Sequence, residues 1–107
     1  MYDEVLKSVN QWIFNVSKKY ADLINIEIVS NNSYHIIADL TTNRYIAQLS
    51  VSKPDFRPYR FVEFYVLDIN KNEMQPPAFV YGDKENESIF DIIDNLNKGI
   101  DFILSEI

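Results

Sequence analysis

RFVEFYVLDINKNE, residues 60–73, is apolar on both alternating faces of its first half: Val62, Phe64 and Val66 on one, Phe61, Tyr65 and Leu67 on the other. Such a run predicts a central strand covered on two sides, interrupted only by Glu63. Its second half, from Asp68 to Glu73, holds turn formers directly after the β-rich run and marks a reversal into another strand.

Upstream, residues 23–30 place Ile24, Ile26 and Ile28 at alternate positions around Asn25 and Glu27, the pattern of a half-buried strand. Asn31, Asn32 and Ser33 turn the chain, since Asn tolerates left-handed backbone and bonds neighbouring amides. Tyr34, Ile36, Ala38 and Leu40 then form an inward row against His35, Ile37 and Asp39. After a second polar turn, Thr41-Thr42-Asn43, the pattern continues with Tyr45, Ala47, Leu49 and Val51 against Ile46, Gln48 and Ser50. Consecutive strands joined by short polar turns predict an antiparallel meander. Residues 53–59 hold two prolines, which cannot donate to a ladder, so they read as a loop into the 60–73 strand. Lys53, Arg57 and Arg60 form a cationic cluster there, read as solvated charge. Downstream, Gln75-Pro76-Pro77 is extended, and residues 78–81 fit a short edge strand.

Helices flank the meander. Val5, Leu6, Val9, Trp12, Ile13, Val16 and Tyr20 recur at three- and four-residue steps, with Asp3 and Glu4 early and Lys18 and Lys19 late, as a helix dipole favours. Trp12 reads as a core anchor against the sheet. At the other end, Ser88 with Asp91 resembles a capping box, followed by a stripe of Ile89, Ile92, Ile93, Leu96, Ile100, Ile103 and Ile107. Gly99 lowers helix propensity and marks close packing on the sheet. The predicted fold is α+β, a single domain over residues 1–107. Its order is an N-terminal helix, a four- to five-stranded antiparallel meander and a C-terminal helix, with both helices on one sheet face.

The 107 residues suffice for one core and not for two domains. Sixteen acidic against ten basic residues leave a net charge of −6, which repels phosphate backbones and attracts a basic partner. With no cysteine there is neither a disulfide framework nor a thiolate metal site. Neither a leader nor a bilayer-spanning run is recognisable, so a cytoplasmic location is expected.

Chemistry is sparse. His35 is the sole histidine and has no visible acid partner, which disfavours a hydrolytic triad and leaves only carboxylates to share a metal with it. The two glycines, Gly82 and Gly99, open no phosphate loop. Asp39 and Glu63 could meet across strands as an acid–base pair, although solvated carboxylates are the commoner reason for such residues. No cofactor and no catalytic residue are expected. The outward row of His35, Ile37, Asp39, Ile46, Gln48, Phe61, Glu63 and Tyr65 mixes apolar groups with carboxylates. That mixture predicts a protein-binding surface for a basic, partly apolar partner, with a loop or a second copy of the chain as the other ways to cover it.

NRYIAQLSV (residues 43–51), FVEFYVLDINKNE (residues 61–73) and FVYGDKENESIFDIIDNL (residues 79–96) resemble the small immunity proteins of bacterial contact-dependent inhibition systems, of the TriTu type. The resemblance spans residues 33–104 and rests on packing and turn patterns. It implies an inhibitor without catalysis that neutralises the C-terminal domain of a cognate secreted toxin in the cytosol. The toxin it implies is a tRNA-cleaving nuclease, with elongation factor Tu as a candidate third component. A phosphate-binding nuclease presents a basic cleft, which suits an acidic inhibitor. The residues expected at the contact are Asp39, Phe61, Glu63 and Tyr65 on the sheet and the acidic run of Asp83, Glu85 and Glu87. An acidic secretion chaperone or adaptor, usually dimeric, is the alternative reading.

Overall fold

The structure, a computed structural model, describes residues 2–53, 61–71 and 75–105. An N-terminal helix, α1 (Tyr2–Lys19), precedes five strands: β1 (Asn25–Asn31), β2 (Ile36–Thr41), β3 (Tyr45–Val51), β4 (Val62–Asp68) and β5 (Phe79–Gly82). A C-terminal helix, α2 (Ile89–Leu104), follows them. The strands pair antiparallel in sequence order, so the sheet is a plain meander. This is the predicted α+β architecture, with the upper strand count.

Register sets the layers. Ala38, Leu49, Phe64 and Tyr81 lie in one cross-strand row, and Leu40, Ala47, Val66 and Phe79 in the next. Apart from half-buried Phe79, every member of these two rows is buried. Trp12 of α1 meets Phe64 edge-on at 6.4 Å between ring centroids. Gly99 of α2 also lies against Phe64, so both helices cover the same sheet face. Burying side chains such as Phe64, Leu49 and Ile13 contributes roughly 1.5–3 kcal/mol each, the main stabilising term here. Trp12 Nε1 also donates to Asn97 Oδ1 at 2.8 Å, tying the two helices together while satisfying the buried indole.

Local chemistry ends each element where the sequence demands. Ser88 caps α2, with its side chain accepting from the Asp91 amide and Asp91 accepting from the Ser88 amide, the predicted capping box. Asn86 takes a left-handed conformation (φ 73°) in the turn before it, which Asn tolerates. The turn after β4 is closed by Asp68, whose carboxylate accepts from the Asn70 amide at 2.9 Å.

Three expectations change. The first strand is shifted: Ile24 is buried ahead of β1, and the register slips between Ile28 and Ser30, leaving Val29 as an extra residue. Ile28 is therefore 45% exposed at the sheet edge instead of buried. Tyr34 is 77% exposed rather than inward, because it lies in the turn where Asn32 accepts from its amide, before β2 begins. Of the loop expected at residues 53–59 all but Lys53 lies outside the described residues, as do Arg60, Glu73 and Ile107.

Candidate protein-binding surface

The helices occupy one face of the sheet, and among the described residues no helix or strand covers the other. On it the register builds a polar row, in which Glu27 of β1 stands opposite Asp39 of β2, Asp39 opposite Gln48 of β3, Gln48 opposite Tyr65 of β4, and Tyr65 opposite Val80 of β5. Hydrogen bonds fix its centre. Tyr65 donates its hydroxyl to Gln48 Oε1 at 3.2 Å, and Gln48 Nε2 donates to Asp39 Oδ1 at 2.9 Å. The Asp39 carboxylate is thus held by Gln48, on the strand position directly opposite the exposed Glu27. Directly opposed like charges destabilise a sheet, so this pairing costs the fold something.

Apolar side chains border the row. Ile46 and Leu67 face each other across β3 and β4 and are 48% and 42% exposed. With Ile69 and Pro76 they line a shallow pit of about 310 Å³, whose wall is completed by Asp68, Lys71 and Gln75. The Arg44–Asp68 ion pair, 3.3 Å, sits at its margin. On the other side, Glu63 projects from β4 between Ser50 and Gly82 and is exposed. The face therefore offers carboxylates, hydrogen-bond groups and a small apolar pit within one rigid sheet.

Of the residues singled out in the sequence, Asp39, Glu63 and Tyr65 share this face. Phe61 does not. It precedes β4, is only 7% exposed and packs edge-on against Tyr2 at 5.2 Å, because the alternation begins at Val62 and the residue before it tucks under α1. Asp83 is also withdrawn, 3% exposed, with Oδ1 accepting from the Val62 amide at 2.7 Å. It fastens the end of β5 to the start of β4. Glu87 organises the turn into α2, accepting from the Lys84 amide at 2.6 Å and from the Tyr81 hydroxyl at 3.2 Å. Glu85 alone of that acidic run is exposed with no hydrogen bond described.

The acid–base pair does not assemble. Asp39 and Glu63 sit on strands separated by β3 and in different rows, roughly 12 Å apart by ordinary sheet spacing. His35 lies half-buried before β2, with a ring nitrogen 2.7 Å from Ser30 Oγ. Among the described residues no group of three or more His, Cys, Asp or Glu is placed to hold a metal, and no helix is long and apolar enough to cross a membrane.

Two contributors to the face escape a reading by alternation. Glu27 was visible as the polar residue between Ile26 and Ile28, but its neighbour Asp39 follows only from the register. Gln48 was visible as outward-facing, yet its role in orienting Asp39 needs the three strands in place. A second concavity lies on the helix side, a groove of about 800 Å³ between Ser8 and Gln11 of α1 and Ile89, Phe90 and Ile93 of α2. Phe90 is 87% exposed at its rim. Comparison with family models, with characterised proteins and with solved structures finds no match to this chain.

Proposed function

We propose that this chain is an immunity protein without catalytic activity, which binds and neutralises a cognate toxin domain through the open sheet face. The observation that carries the reading is the Glu27–Asp39 pair. A fold that keeps two like charges opposed on an exposed sheet gives up stability for them, and a cationic side chain inserted by a partner removes that repulsion. The adjacent Ile46 and Leu67 pit supplies the apolar contact that a charged rim alone lacks. The net charge of −6 steers a basic partner toward the surface.

The partner class follows from the family resemblance: the C-terminal domain of a secreted, RNA-cleaving toxin, met in the cytosol, with elongation factor Tu as a candidate third component. A nuclease cleft built to grip phosphate is lined with Lys and Arg and complements this face. Co-expression with a candidate toxin domain, sought in the reading frames next to this gene, tests the reading. Cells carrying the wild-type chain are protected, and cells carrying the Asp39→Lys, Glu63→Lys double variant are not. Equal protection by both would remove the sheet face from the mechanism.

The groove beside Phe90 favours a second reading, an acidic secretion chaperone that takes an unfolded apolar segment between its helices. Binding of an unfolded secreted segment, lost in Phe90→Asp and retained in the sheet-face double variant, would select it.

A further inference from the structure

We propose that the free edge of β1 pairs antiparallel with β1 of a second copy, across a two-fold axis, to form a continuous ten-stranded sheet. The two edges of the sheet differ in kind. β5 is four residues long and follows Pro76 and Pro77, a short edge guarded by proline against further pairing. β1 is seven residues long, NIEIVSN, with Glu27 as its one charge and neither Lys nor Pro, so its guards are that charge and the bulge at Val29. Among the described residues no strand lies on its outer side, so its outward backbone N–H and C=O groups are a template for another strand. Ile28, opposite Ala38 and therefore on the core side of the sheet, is 45% exposed there, and Val29 is 54% exposed. The inner apolar layer stops unfinished at Ile28, and a strand laid beside it continues that layer.

A second copy fits because the strand can pair with itself without opposing its one charge to its twin. Antiparallel pairing centred on Ile28 sets Glu27 of each copy opposite Val29 of the other, so the sole charge meets an apolar side chain and not its twin. Gln48, Glu63 and Tyr65 lie on β3 and β4, away from this edge, so dimerisation leaves most of the open face accessible and does not depend on the toxin reading. Two chains of charge −6 repel each other, so this dimer tightens as salt rises.

Sedimentation velocity of the full chain, from low to high micromolar concentration and at two salt concentrations, tests the pairing without any partner. The wild type is expected to pass from monomer to dimer, more readily at high salt, while amide exchange within Asn25–Asn31 slows in step. Val29→Glu, which sets a carboxylate against Glu27 of the other copy, weakens the dimer by roughly fivefold or more, and Val29→Lys strengthens it. Val29 is exposed, so both variants keep the fold, as circular dichroism will show. A wild type that stays monomeric overturns the proposal. So does a dimer that ignores the charge at residue 29, or one lost in Phe90→Lys, which would place the contact on the helix side.

Discussion

Glu27 and Asp39 stand directly opposite each other on neighbouring antiparallel strands, and Gln48 Nε2 holds the Asp39 carboxylate at 2.9 Å. Replacing Glu27 by Lys turns a repulsive cross-strand pair into an attractive one. The variant is expected to unfold at higher urea, by about 0.5 kcal/mol, and to bind the proposed basic partner more weakly. Urea melts of the two proteins check the first half, and the gain should shrink at high salt.

Gly99 faces Phe64 so closely that an added Cβ would lie 2.5 Å from Phe64 Cε2 and 3.0 Å from Phe79 Cε1. Phe64 is fully buried and has no room to retreat. Gly99→Ala gains about 1 kcal/mol of helix propensity and meets overpacking of roughly 1–3 kcal/mol. A net loss of about 1 kcal/mol is expected, read from urea midpoints. The single tryptophan, Trp12, sits edge-on to Phe64, so its fluorescence reports the transition at the affected site.

The α2 cap gives stability an acid limit. Hydrogen bonds from the Ser88 amide and then the Ser88 hydroxyl hold the Asp91 carboxyl below its ordinary range. The Asn70 amide, followed by Arg44, does the same for Asp68. A carboxyl whose folded pKa is lowered stabilises the fold above its unfolded pKa, about 4. That contribution is lost as pH falls through the folded value. Thermal melts should therefore show stability declining below about pH 4, with a shallower decline in Asp91→Asn. Ser88→Ala is expected to cost about 1 kcal/mol at neutral pH.

Tyr81 sets the opposite limit. Burial, and then the charge and hydrogen bond of Glu87, push its phenol above the ordinary tyrosine range. An acid with a raised folded pKa lends stability below its unfolded pKa, about 10, which fades as pH rises beyond it. Tyr81→Phe keeps the ring and loses the bond to Glu87, at a cost of about 1 kcal/mol near neutrality. The difference between wild type and variant should narrow above about pH 10 in melts followed by circular dichroism.

Alternation along the chain was enough to assign the inner rows of β2, β3 and β4, because each strand is flanked on both sides and its period of two is enforced by the core. It failed where one neighbour is missing or the strand has not begun. Ile28 is exposed since β1 is an edge with a register slip, and Tyr34 is exposed since the turn at Asn32 still holds it. Phe61 and Asp83 were misplaced for a shared reason: the start of β4 is fastened from below by Tyr2 and from the side by the Asp83 carboxylate, contacts between residues far apart in sequence. The open face was legible as a parity of side chains. The opposition of Glu27 to Asp39 was not, because turn lengths and the slip at Val29 set which residues meet.

The dissociation constant for the proposed partner, a basic RNA-cleaving toxin domain, measured at low and high salt, tests the acidic sheet face most directly. Wild-type affinity should fall as salt rises, while Asp39→Lys, Glu63→Lys should bind roughly tenfold or more weakly, with a flatter salt dependence. Identical affinity and identical salt dependence for the two proteins would contradict the sheet face as the binding surface.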